Sequence, residues 1–370
     1  MKAQWYSIAA AMALSAATHA HDGNFNQGRA VFVMTNDAES NEVIAYQRTQ
    51  YGTLFSPRHF RTGGRGSGGK GDPLASQGSL TLSDDHQWLF AVNAGSGTLS
   101  VFRVAGAFLI LTDEIATGGA EPTAVTQHGN LVYVLNAAAS SSVTGFVFHN
   151  GHLNELPHSQ RFLSANLVNP GSIDFSNDGK FLVTTEKAGN NIDSFAVAPD
   201  GTLSDIQTRA SAGPGAFAAV SAPNGTVLVS ETGSGGLTSA ISSYRIQKDG
   251  SLAVVSSSLP TLGAANCWNA VTPNGRFIYV SNAGSSTISG FAIGASGALT
   301  PIPGTVVGTN PAGSGNLDIA VSADGQFLYT LNSAGGTLGA FGINADGSLT
   351  NLGTTAGLPK GSSLNGIAAD

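Results

Sequence analysis

Residues 277–291 read FIYVSNAGSSTISGF, and residues 327–341 read FLYTLNSAGGTLGAF. The same pattern recurs as LFAVNAGSGTLSVF at 89–102 and FLVTTEKAGNNIDSF at 181–195. Each is an apolar run closed by Asn or Glu, a Gly/Ser/Asn turn, and a second alternating run ending in Phe. That is the signature of two antiparallel strands joined by a tight turn. A turn precedes each hairpin, as NDG at 177–179, PNG at 223–225 and 273–275, and ADG at 323–325. Another follows it, as PDG at 199–201, KDG at 248–250 and ADG at 345–347. A short apolar strand lies outside each turn, as in Ser348-Leu349-Thr350. Four antiparallel strands in roughly 45 to 50 residues have the size of one β-propeller blade.

Working outward, the units fall at 31–62, 79–119, 122–165, 170–212, 215–262, 266–309 and 316–356. The chain is therefore expected to be all-β, a seven-bladed β-propeller with four antiparallel strands per blade. The first unit lacks a leading strand. The C-terminal stretch from Leu364 to Ala369 can supply it, which would close the ring and remove an exposed edge.

Composition agrees. Of 370 residues 49 are Gly, only 11% are charged, and mean hydropathy is slightly positive, which excludes disorder and favours short strands and tight turns. The net charge of −7 and the lack of a basic face argue against nucleic acid. Lys2, the apolar run Ile8 to Ala17 and the small-residue site Thr18-His19-Ala20 read as a signal peptide over 1–20. Residues 21–370 are then a single exported propeller domain, periplasmic or extracellular. No apolar run reaches the roughly 20 residues of a membrane span. The lone cysteine, Cys267, sits at the apolar start of a strand and reads as a buried structural thiol without a disulfide partner. A ring that closes on itself is expected to be a monomer.

Seven polar residues share one register at the end of the second strand of each unit: Asn36, Asn93, Asn136, Glu186, Glu231, Asn282 and Asn332. They are expected to gather around one mouth of the central channel as a ligand-binding ring. Asn before a turn also caps its own backbone. Glu has no such habit, so Glu186 and Glu231 are the candidate catalytic pair, able to move a proton. Their bland alternative is hydrogen bonding to nearby loop amides. The segment GGRGSGGKG at 63–71 falls short of a phosphate loop, since Gly71 stands where Ser or Thr should hold magnesium and no helix follows. It is either a flexible link or a loop over the same mouth, where Arg65 and Lys70 would meet an anionic ligand. His149, His152 and His158 cluster at a turn without a zinc spacing, and no metal or cofactor is expected.

The repeat resembles the seven-bladed propeller lactonases, the family of the bacterial propeller 6-phosphogluconolactonases and the carboxymuconate-lactonising enzyme. The likeness rests on the strand and Asn-Gly/Asp-Gly pattern and on the glycine-rich loop leading into Ser76-Gln77-Gly78-Ser79-Leu80. Tyr279-Val-Ser-Asn282 and Tyr329-Thr-Leu-Asn332 also resemble surface-layer propellers. The lactonase resemblance implies hydrolysis of a small, perhaps acidic, lactone, with Glu186 matching the family's glutamate. It also implies an Arg-His pair where this chain has Pro170-Gly171-Ser172, and an Arg after Ser281-Asn282, where it has Ala283. Without those cations the charge stabilisation that is usually the largest catalytic contribution is missing. Two readings stay open: an exported lactonase-like hydrolase, and a non-catalytic propeller that binds a protein or glycan partner.

Overall fold

The computed structural model describes residues 29–138, 140–360 and 363–370. The leader expected at 1–20 lies outside them. The chain forms seven sheets, one per blade, arranged as a ring. In blade 7 the strands are Asn316–Val321, Phe327–Asn332, Thr337–Ile343 and Leu349–Ala356, from the axis outward. Blade 1 is completed by Ile367–Ala369, which pairs antiparallel with Ala30–Met34 through Val31↔Ala369 and Val33↔Ile367. The first and last strands therefore share a sheet, as the missing leading strand required. In blade 3 the outer strand is split into His152–Glu155 and Arg161–Phe162, both pairing with Ser142–His149. Pro157 lies in the gap and has no N–H to give a ladder.

Burial explains why the repeats look as they do. The second strands, such as Phe327–Asn332 and Thr226–Glu231, are buried along their whole length, because each blade is covered on both faces by its neighbours. The outer strands alternate or are exposed, as in Leu349–Ala356. Clusters of buried apolar side chains span adjacent blades; one joins Ile44 and Tyr46 to Tyr329 and Leu338 across the closure. The tyrosine of the second strand adds a polar tie to the next blade. Tyr133, Tyr279 and Tyr329 donate to the carbonyls of Gly201, Gly347 and Gly52 at 2.6, 2.8 and 2.8 Å. No helix among the described residues is long and apolar enough to cross a membrane.

Candidate functional site

The link from blade 1 to blade 2, residues 62–79, bonds to several blades at once. Its first half packs over the turns between second and third strands. Gly66 and Gly68 donate to the carbonyls of Asp37 and Asn36, and Gly95 donates to that of Arg65. A Cβ on Gly66 would lie 2.1 Å from the Asn36 carbonyl carbon, so glycine here permits close packing rather than flexibility. Arg65 and Lys70 are exposed on this loop.

The second half, Asp72 to Ser79, turns into the axis and ties inner strands together as a strap. Ser76 Oγ donates to Thr123 O of blade 3 at 2.8 Å. The Trp268 indole of blade 6 donates to Ser76 O at 2.9 Å. Gln77 and the Asn269 backbone exchange two bonds, 2.9 and 2.8 Å. Gln77 N donates to Gly171 O of blade 4, and Ser79 Oγ donates to Asn365 Oδ1 beside the closing strand. Apart from the loop's placement over the turns, none of this threading is visible in the sequence.

Where the strap meets the inner strands, two ionisable side chains, Asp72 and Lys187, lie within reach of each other's charge. Asp72 accepts from Ala75 N at 2.9 Å and Asn365 Nδ2 at 3.0 Å. Burial pushes its carboxyl up to about 6, with the Lys187 charge opposing. Lys187 Nζ donates to the carbonyls of Ala75 and Pro170 and lies 4.7 Å from the Phe217 ring centre. Burial lowers its ammonium to about 8, against the pull of Asp72 and Cys267. An ammonium has three donors, and two carbonyls account for two of them among the described residues. Cys267 is buried with its thiol pushed up to about 12 by burial, its Sγ 3.6 Å from Thr232 Oγ1. It is a structural thiol rather than a nucleophile.

The polar register behaves differently from the expected mouth ring. All seven side chains are 0–1% exposed, and those with cross-blade partners are wedged between blades. Asn93 Oδ1 accepts from Thr62 and Asn41 of blade 1, and Asn136 Oδ1 accepts from Thr117 of the preceding link. Glu186 accepts from Ser164 N and Ser164 Oγ of the preceding link, at 2.8 and 2.5 Å, and from Asn191 Nδ2 at 3.2 Å. Glu231 Oε1 accepts from Ser211 Oγ, Gly213 N and Ser242 Oγ. Asn332 donates to Asn310, and Asn282 to Thr287 and Ser289. Asn36 is a correction: it lies two residues beyond its strand, at φ 50, and binds Ser67 of the glycine-rich loop. Most of the register ties a strand end to the preceding link; Asn282 bonds only within its own blade, and its Oδ1 and Glu231 Oε2 are buried without a partner among the described residues.

Lys187 was missed. Its signal was present: it directly follows Glu186, where the other quoted repeats carry Ala94, Ala283 and Ser333. The histidines stay on an exposed turn, His152 3.9 Å from Asp113.

Residues 216–315, blades 5 and 6, match the family model described as Lactonase, 7-bladed beta-propeller. Over those residues the chain is similar to that family, and the whole chain is a seven-bladed propeller. A putative 6-phosphogluconolactonase from Bacteroides uniformis superposes with TM-score 0.69 at 18% identity, over 93% of this chain and 100% of that one. The Pseudomonas aeruginosa periplasmic gluconolactonase PpgL gives 0.67 at 19%, over 91% and 98%. A putative 6-phosphogluconolactonase from Bacteroides fragilis gives 0.65 at 16%, over 91% and 98%. No curated protein matches the sequence. The strap thus brings Asp72 and Lys187 to the inner strands, while Glu186 and Glu231, the residues before Lys187 and Thr232, stay buried in their own bonds.

Proposed function

We propose that this chain hydrolyses a small, uncharged lactone at the channel mouth, and that it does so as an exported, monomeric enzyme. The observation that carries the reading is that Asp72 and Lys187 both hold Ala75 of the strap, Asp72 through its N and Lys187 through its carbonyl, in a seven-bladed propeller that is similar in part to the lactonases. Asp72, as carboxylate, takes a proton from water whose oxygen attacks the lactone carbonyl carbon. The third donor of Lys187 stabilises the oxyanion that forms. The ring C–O bond then breaks, and the proton held by Asp72 passes to the leaving alkoxide, giving a hydroxy acid. Glu186 and Glu231 act in this reading as positioning residues, holding the turns that present Lys187 and Thr232. One Asp and one Lys leave little net charge, which favours a neutral lactone. Arg65 and Lys70, on the outer loop, are the cations an acidic lactone would meet.

The test is a panel of neutral and acidic lactones given to the purified chain and to the K187M, D72N and R65A/K70A variants. Turnover of neutral lactones should fall at least a hundredfold in K187M and D72N and persist in R65A/K70A, since removing one such stabilising donor typically costs that much. Full activity in K187M, or no turnover of any lactone, would overturn the reading. The second result would leave the partner-binding propeller in its place.

A further inference from the structure

Because the blades repeat, each serves as a control for the others. Blades 2, 4, 6 and 7 join second and third strands through four residues, at 94–97, 187–190, 283–286 and 333–336. Blade 3 uses five, 137–141, blade 1 seven, 35–41, and blade 5 eight, 232–239, and the blade 5 segment carries Leu237, 80% exposed. The outward links show a second departure. After Thr62 and Thr117 comes glycine in the left-handed region, Gly63 at φ 92 and Gly118 at φ 72. Thr261 makes the same backbone bond as those threonines, yet Leu262 follows it at φ 58 and is 70% exposed. A bulky residue in that region is strained, and an exposed leucine gains no core packing in return.

The two leucines flank one groove of about 680 Å³ between blades 5 and 6, a size that suits a small molecule. Pro214, Ala240, Pro260 and Ala264 form much of its wall, with hydroxyls from Thr238, Ser239, Ser258 and Ser285. No charged or aromatic residue lines it, so it offers neither a counter-ion for phosphate or carboxylate nor a ring for a sugar to stack on. The same insertion links it to the innermost strand of blade 6. Ser239 Oγ donates to Thr232 O at 2.8 Å, and Thr232 Oγ1 lies against Cys267.

We propose that this groove holds an alkyl tail of the substrate, making that substrate an alkyl-substituted lactone rather than a polyhydroxylated one. The assignment rests on hydrolysis at the mouth for its lactone half, and on the groove alone for its tail.

The experiment measures kcat/KM for γ-lactones of rising tail length, and, separately, calorimetric binding of the matching γ-lactams, which resist hydrolysis. Each added methylene should raise kcat/KM and tighten lactam binding about two- to fourfold until the groove is full. L262G, which restores the glycine of the sister links and relieves the strained backbone, should stay folded with Tm unchanged or raised, and L237S should also fold. Both should flatten the tail-length dependence. Lactam binding with that dependence, but no hydrolysis, would sustain the groove and remove the hydrolytic reading. Hydrolysis with no dependence on tail length, or a dependence untouched by L262G and L237S, would overturn the groove.

Discussion

Lys187 and Asp72 bring two opposed titrations together. Chemistry that needs the Asp72 carboxylate and the Lys187 ammonium together should rise through about pH 6 and fall through about pH 8. A bell-shaped kcat/KM profile with those limbs checks this, and D72N should lose the acid limb. Asp193 makes a prediction about stability instead. It is fully buried beside Glu186; burial above all, and that neighbouring carboxylate, push it up to about 8. An unfolded aspartate titrates near 3.8. Between these values the folded chain holds a proton that the unfolded chain has lost, so Asp193's contribution is fully present below about pH 4 and lost as pH rises through about 8. D193N needs no proton, so its denaturation midpoint should exceed that of the parent at pH 9, with the advantage shrinking toward pH 5. Asp193 stood in plain view in the repeat at 181–195. What the sequence could not show is that folding buries it completely beside Glu186.

At the scale of the strand and its turn, the polar register was legible as a register but not as a function. Asn93, Asn136, Glu186 and Glu231 share a position because each closes a second strand. They are ties because the preceding link brings donors such as Thr62, Thr117, Ser164 and Ser211 against them. Glu186→Gln tests that role. The amide offers one acceptor where the carboxylate receives Ser164 N, Ser164 Oγ and Asn191 Nδ2. A mismatched buried group costs about 1–3 kcal/mol, which urea denaturation resolves. Lactone turnover by the fraction that remains folded should fall far less than in K187M.

The whole molecule is held by its closure. Leu364 and Ile367 bury side chains worth roughly 1.5–3 kcal/mol each, and Ile367–Ala369 covers an edge that would otherwise be open. Truncation after residue 362 should therefore give a chain that aggregates or loses cooperative unfolding, read by light scattering and calorimetry. Tyr329→Phe removes only the bond to Gly52 across the same junction and should cost about 1 kcal/mol. By itself the sequence determined the blade count, the unit boundaries and the closing strand, because strand period and turn chemistry are local and each unit repeats them. Only the tertiary structure decided which polar groups face the channel, since that depends on how neighbouring blades cover each strand end. It also decided that residues 72–79 enter the axis, because their partners, Gly171, Trp268, Asn269 and Asn365, lie about a hundred to three hundred residues away and no local pattern encodes such contacts.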